Sequence, residues 1–284
     1  LQHLEPSASE HLEALTPDIQ KSLQSLLQEE IGRPLQDGTI LPLSWIQRRH
    51  YFVTRHEGAE VSSTVPHALR FNGNLDRTAL RDALLHIQRV HPMLRASVHE
   101  MYGVLFQWIA PAAQLDVEFK DLSHAPVSSR EAQLAAFSLD VMRRPFQLNR
   151  APLMRPVLIR LGEEEHVLLL PLHHLIADGL SLRVINDSLL SAYEVYRTSG
   201  QADLPAPSST YADFIRFHHS ERSRTENKRH LDYWIKRMAG KPVMLSLPTD
   251  KARPATPSYK GRYVERVLDD ELTHALSDFA KKQH

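Results

Sequence analysis

The chain has 284 residues, of which 42% are hydrophobic and 24% are charged, a balance typical of globular proteins. Its 34 basic and 34 acidic residues cancel, which argues against nucleic acid as the main partner because the phosphate backbone requires a basic surplus. No apolar run reaches the roughly 18–20 residues of a membrane span, and the absence of cysteine excludes disulfides, thiolate metal sites and a cysteine nucleophile.

Residues 1–40 are predicted to form a helical linker or a docking segment for a partner protein. Thr16 and Pro17 suit the start of a helix, and apolar residues then recur at helical spacing as far as Gly32. The polar and acidic start does not look like a secretory signal, so we expect a cytoplasmic protein.

Residues 41–200 alternate between strand and helix patterns and are predicted to form one α/β (α+β) lobe. The predicted elements are a strand in 67–75, a helix over 76–90, two strands within 96–110, a helix over 130–142, a hairpin of 157–161 with 166–172, and a helix spanning 182–196. The last hairpin arm, HVLLLPL, is apolar at consecutive positions, which predicts a central strand buried on both faces.

Residues 201–284 are predicted to be a crossover and the start of a second lobe. The stretch 198–209 is rich in Ser, Pro, Ala and Gly, which is typical of a linker. A polar helix with Leu231 and Trp234 follows, then a Pro-rich extended stretch, and the chain stops inside a further helix. We therefore expect a truncated second lobe.

The stretch Leu172–Gly179 is predicted to be the functional site, because it follows the most apolar strand and precedes a helix. It contains His173, His174, Asp178 and Gly179. A neutral imidazole accepts a proton near neutral pH, an aspartate orients an imidazole or holds a loop, and glycine permits close approach. This set suits the attack of a nucleophile on an activated carbonyl.

Structural interpretations of the same residues stay open at this point. His173 also fits a packed core histidine, and Asp178 fits a helix cap or a salt bridge. His218 and His219 lie in a polar helical stretch and are interpreted as a solvated face. No HExxH pattern occurs, so we do not expect a metal site.

Three absent motifs reduce the range of reactions that this chain could catalyse. The sequence has no G-x-S-x-G nucleophile elbow, no Walker loop and no G-x-G-x-x-G fingerprint. Neither ATP activation nor a dinucleotide cofactor is indicated, so an acyl donor would have to arrive already activated.

Several separated stretches, in the same order, resemble the condensation domains of nonribosomal peptide synthetases. The matching stretches are LPLSWIQRRHYFV (41–53), similar to LSxAQxRLWFL; RVHPMLRAS (89–97), similar to RHExLRTxF; RRPFQLNRAPLMRPVLIRL (143–161), similar to PFDLxxGPLxR; LHHLIADGLSL (172–182), with the HHxxxDG hallmark; YADFIRF (211–217), similar to YxDYAxW; and DYWIKRMAGKPVMLSLPTDKARP (232–254), similar to YWxxxLxGxPxxLxLPTDxxRP. Ser44, Gln47 and Arg49 fit the first pattern, whereas Tyr51 replaces its tryptophan.

The resemblance implies a chloramphenicol acetyltransferase-like lobe with a mixed or antiparallel sheet flanked by helices. It implies amide formation between substrates tethered by phosphopantetheine to donor and acceptor peptidyl carrier proteins, with no cofactor bound directly and with neighbouring synthetase domains as partners. His174 matches the catalytic histidine, His173 and Gly179 belong to the same motif, and Asp178 is expected to form a structural salt bridge with Arg95. Gly179 is expected to keep the substrate channel open.

Other members of the superfamily remain alternatives. An epimerization domain shares the motif but moves the α-proton of a tethered peptide, and a stand-alone acyltransferase esterifies a hydroxyl. A non-catalytic member recruits partner enzymes through the same lobe. Because the family's later motifs are missing from these 284 residues, we expect little or no condensation activity from this chain alone.

Overall fold

The computed structural model describes residues 34–35, 38–55, 63–101, 103–200, 207–240, 248–252 and 264–283. The chain divides into two compact units, residues 1–248 and 249–284. The predicted N-terminal helix, the middle of the predicted linker and most of the Pro-rich stretch lie outside the described residues. The predicted division at residues 40 and 200 stays a prediction.

Helices and strands alternate along the first unit as the patterns predicted. The strands are β1 (Pro34–Leu35), β2 (Gly38–Pro42), β3 (Thr64–Val65), β4 (Ala68–Asn72), β5 (Ala96–Met101), β6 (Val104–Ile109), β7 (Glu118–Asp121), β8 (Val157–Arg160), β9 (Glu165–Leu169) and β10 (Leu172–His173). The helices are α1 (Trp45–Thr54), α2 (Arg77–Val90), α3 (Val127–Arg143), α4 (Gly179–Ser199), α5 (Tyr211–His218), α6 (Glu221–Met238) and, in the second unit, α7 (Asp270–Gln283).

Two four-stranded sheets form the framework. One has the strand order β1–β2–β6–β5 and is antiparallel throughout. The other has the order β4–β9–β8–β7, in which β7 and β8 are parallel and the remaining pairs are antiparallel. Strand β9 lies inside this sheet, and Leu168 and Leu169 on its opposite faces are both buried. The predicted central strand and the α/β class are therefore confirmed.

Helix α2 packs against helix α4 on one side of the main core. Asp76 caps α2 by accepting hydrogen bonds from the backbone N–H groups of Thr78 and Ala79 at 2.9 and 3.0 Å. Leu80 and Leu84, one turn apart, are buried in the same cluster as residues of α4. Burial of each such leucine stabilises the fold by about 1.5–3 kcal/mol.

The connection between β9 and α4 carries the HHxxxDG motif. Strand β10 pairs with β3, which places Leu172 opposite Val65 and His173 opposite Thr64. Residues 174–178 then form a loop that leads to Gly179, the first residue of α4. The motif is therefore held at one end by a strand pair and at the other by a long helix.

Candidate active site

His173 is a buried structural residue, with 1% of its surface exposed. Its Nδ1 accepts a hydrogen bond from the Leu175 backbone N–H at 3.1 Å, so the neutral ring carries its proton on Nε2, 3.4 Å from the Thr54 hydroxyl. Burial, followed by the charges of His50 and His174, lowers the pKa of His173 to about 4. Because the ring is enclosed and both nitrogens face protein groups, these contacts favour the packed core histidine over a catalytic role for His173.

His174 lines a cavity of about 550 Å³. Its backbone N–H donates to the Ser63 carbonyl at 2.8 Å, which fixes the start of the loop, while its side chain is only partly buried. The imidazole stacks on that of His50, with 4.1 Å between ring centroids and 14° between ring planes. The predicted catalytic residue is thus accessible from the cavity.

The cavity is mostly apolar, with a few polar groups near His174. Its apolar lining comes from the start of α1, the turn after α2, the motif loop, α4 and α5, and includes Ile46, Met93, Leu94, Ile176, Ala177, Val184, Ile185 and Phe214. Its polar lining includes Gln47, Asp178, Ser181, Thr210 and Tyr211. A largely apolar cleft with a few convergent polar groups is typical of a binding site for an organic substrate.

Asp178 caps helix α4 and does not pair with Arg95. Its carboxylate accepts hydrogen bonds from the Ser181 backbone N–H at 2.8 Å and the Ser181 hydroxyl at 2.7 Å, and these bonds lower the pKa of Asp178. Within the described residues, the Arg95 guanidinium instead donates to the carbonyl oxygens of Gln88, Arg89 and Ala110. The predicted salt bridge is therefore wrong here, because each side chain has nearer partners.

Gly179 is the first residue of α4 and borders open space. A Cβ atom built at this position meets no other atom within 4 Å. Its φ angle lies outside the left-handed region, so the backbone conformation does not require glycine. The expectation that Gly179 keeps a channel open stays a prediction.

Helix α1 ties the motif loop to the first sheet through Gln47. The Gln47 side-chain amide donates to the Leu175 carbonyl at 3.0 Å and to Gln107 Oε1 at 2.9 Å. Ser44 begins the helix by a reciprocal cap with Gln47, and the Tyr211 hydroxyl donates to the Ser44 hydroxyl at 2.8 Å. The opening motif thus acts as a scaffold for the loop.

His50 was not predicted as a site residue, although it lies inside that opening motif. A histidine three residues after Gln47 falls on the same side of a helix, which was the available signal. The position of the partner ring, in contrast, depends on the fold.

His218 and His219 are partly buried, so their interpretation as a solvated face is wrong. The His218 ring stacks on Phe214 with 5.4 Å between centroids and meets Trp45 edge-on at 6.3 Å. Burial lowers the pKa of both histidines. The end of α5 packs these rings against the start of α1 instead of exposing them.

The class of this protein follows from its similarity to known proteins. The condensation domain family model matches residues 38–284, and the chain therefore belongs to the condensation domain family. Condensation domains are acyltransferases. Among curated relatives, chondramide synthase cmdD of Chondromyces crocatus is 34% identical over 88% of this chain, which covers 6% of that protein. Phosphinothricin tripeptide synthetase PhsC of Streptomyces viridochromogenes is 33% identical over 88% of this chain, which covers 23% of that protein.

Solved structures confirm the chloramphenicol acetyltransferase-like fold. The X-domain in the complex with OxyB from teicoplanin biosynthesis has a TM-score of 0.65 and 29% identity, covering 80% of this chain and 50% of that chain. The starter condensation domain of rhizomide synthetase RzmA has a TM-score of 0.64 at 16% identity, covering 72% and 49%. This chain thus spans about half the length of the solved chains it matches.

Within the described part of the chain, none of the helices combines the length and apolarity needed to cross a membrane.

Proposed function

We propose that this chain supplies the catalytic histidine of a peptide-bond-forming condensation domain. The observation that carries the proposal is the position of His174, whose partly exposed imidazole borders a 550 Å³ cavity next to a rigid scaffold. The substrates are an acyl or peptidyl thioester and an aminoacyl thioester, both tethered by phosphopantetheine to peptidyl carrier proteins. Donor carrier, acceptor carrier and neighbouring synthetase domains are the partners, in the cytoplasm.

The reaction requires little covalent chemistry from the protein. The α-amine nitrogen of the acceptor attacks the donor carbonyl carbon, the C–N bond forms, the C–S bond breaks, and the amine proton ends on the departing thiolate. An α-amine with a pKa near 8 is partly neutral at neutral pH, so His174 either removes the proton or orients the amine. The mostly apolar lining offers few hydrogen-bond partners to water, which favours attack by the amine over hydrolysis of the thioester.

His174→Ala in the full-length protein tests the proposal. We expect amide formation from carrier-loaded substrates to fall about 100- to 10,000-fold, the usual contribution of a general acid or base. The product is measured by mass spectrometry after its release from the acceptor carrier. His99→Ala is the control, because His99 on β5 stacks on Phe106 outside the cavity lining. A wild-type rate in H174A would contradict the proposal.

The same assay separates the alternatives. A tethered peptide that keeps its mass but has an inverted α-carbon would indicate epimerization. An ester formed with a hydroxyl acceptor would indicate an ester-forming acyltransferase. Little or no turnover by the isolated 284-residue chain stays a prediction.

A non-catalytic recruiting role is a second candidate, because one of the similar structures is an X-domain in complex with OxyB. In that case wild-type protein forms no amide from any loaded carrier pair, and H174A leaves binding of a partner enzyme unchanged. The presence of His174 and Asp178 in this chain favours catalysis over recruitment alone.

A further inference from the structure

The His50 side chain stacks directly on the His174 ring. The two imidazoles are nearly parallel, with 14° between their planes and 4.1 Å between their centroids. This separation is contact distance for flat rings, and it lets one face of His174 rest on His50. His174 therefore lies against an aromatic surface that comes from α1, 124 positions earlier in the chain.

His50 is held in place by contacts of its own helix. The Thr54 hydroxyl donates to the His50 carbonyl at 2.7 Å and lies 3.4 Å from the ring of His173. One turn earlier, Gln47 donates to the Leu175 carbonyl, the residue that follows His174. Helix α1 is thus fastened to the motif loop on both sides of the stacked pair, so the stack is built on a rigid base.

The residue type at position 50 is a departure from the pattern that this stretch resembles. The pattern LSxAQxRLWFL has leucine there, whereas this chain has histidine between Arg49 and Tyr51. An aliphatic side chain covers a neighbouring ring without a preferred orientation, but a flat ring favours a parallel arrangement. The orienting contact is therefore supplied by this particular sequence.

Burial and the neighbouring charges favour the neutral form of His50. Burial, the charge of His174 and the charge of Arg49 lower the pKa of His50 below its usual value. His173 also faces the pair, since its own pKa is lowered by the charges of both rings. Near neutral pH, His50 therefore offers His174 an uncharged surface and does not compete with the substrate as a cation.

We propose that His50 is a positioning residue, whose stacked ring fixes the plane of the His174 imidazole so that one edge faces the cavity. The inference rests on the proposed function of His174. It predicts that an aromatic ring at position 50 matters for the chemical step more than for substrate binding, because His50 acts through His174.

Two substitutions in the full-length protein test the proposal by kinetics. His50→Leu, which installs the residue of the family pattern, should lower kcat about tenfold and leave KM within about twofold, because misorientation of a catalytic group affects the reacting complex. His50→Phe keeps a flat ring and should retain kcat within about threefold of wild type. His99→Leu, which removes another stacked histidine, is the matched control and should retain the wild-type kcat.

A labelling measurement tests the stack without relying on activity. Diethyl pyrocarbonate modifies neutral, accessible imidazoles, and peptide mass spectrometry gives the rate for His174 alone. We expect His50→Ala to raise that rate about threefold or more, the population change that one lost ring stack supports. His50→Phe should label His174 at the wild-type rate.

Each outcome has a defined meaning. Equal kcat in H50L and wild type, equal losses in H50L and H50F, or unchanged labelling in H50A would each overturn the positioning role. If H50L does not fold, His50→Met replaces it as a flexible side chain of similar size. If wild-type protein forms no amide, the proposed function fails, and the labelling arm still decides whether the stack exists.

Discussion

Asp178 and Arg95 act through short-range hydrogen bonds in two separate places. The Asp178 carboxylate holds the first turn of α4, and the Arg95 guanidinium gathers carbonyl oxygens at the end of α2 and after β6. Burial lowers the pKa of Arg95, and no carboxylate contributes to that shift. Among described residues, the two side chains share no hydrogen-bond partner.

Their energetic contributions should therefore be independent. We expect Asp178→Ala to cost about 1 kcal/mol through loss of the helix cap, and Arg95→Ala to cost about 1–3 kcal/mol because buried carbonyls lose donors. In the double variant the losses should add to within about 0.5 kcal/mol. Urea unfolding followed by tryptophan fluorescence gives the three values. A coupling energy clearly above 1 kcal/mol would instead indicate a direct ion pair between Asp178 and Arg95.

Helix α1 illustrates the difference between local signals, which can be recognised in the sequence, and long-range contacts, which cannot. The amphipathic spacing of α2 and α4 is local, and it predicted both helices. The capping pattern of Ser44 with Gln47 is equally local, but α1 was not predicted from it. The bonds of Gln47 to Gln107 and Leu175 span 60 and 128 positions along the chain. Such partners depend on how strands pair, and neither composition nor periodicity contains that information.

The hydrogen bonds from Gln47 of α1 should be essential to the geometry of the motif loop, residues 174–178. Gln47→Leu keeps a side chain of similar size but removes the amide that donates to Leu175 and Gln107. We expect a loss of about 1–3 kcal/mol in the free energy of unfolding, because a buried carbonyl is left without its donor. We also expect a lower kcat, since His174 immediately precedes Leu175. Gln114→Leu, at an exposed position between β6 and β7, is the control. Identical stability of Q47L and Q114L would contradict the assigned role.

For the whole molecule, the buried and partly buried histidines make stability depend on pH. Burial lowers the pKa of eight described histidines, which are His50, His86, His91, His99, His166, His173, His218 and His219. In the unfolded chain these side chains titrate near 6.5, so between about pH 4 and 6.5 the unfolded state binds more protons. The free energy of unfolding must then decrease as the pH falls through this window.

His173 provides the largest assigned part of this effect. Its pKa is about 4 in the folded state and about 6.5 in the unfolded state. This difference alone lowers the free energy of unfolding by about 2 kcal/mol between pH 7 and pH 5. The pKa values of the Asp121, Asp178, Asp213 and Glu194 carboxyls are lowered in the folded protein, mainly by hydrogen bonds, so these four groups stay ionised across this range.

Urea unfolding at pH 7 and pH 5 measures the loss. We expect His173→Gln to be less stable than wild type at pH 7, since it disturbs a buried hydrogen-bond network, and yet to lose about 2 kcal/mol less on acidification. His230→Gln, on the exposed surface of α6, should retain the wild-type pH dependence. If H173Q and wild type lose the same free energy between the two pH values, His173 is not held neutral by burial. The assignment of His173 as the buried structural histidine and His174 as the accessible one would then be wrong.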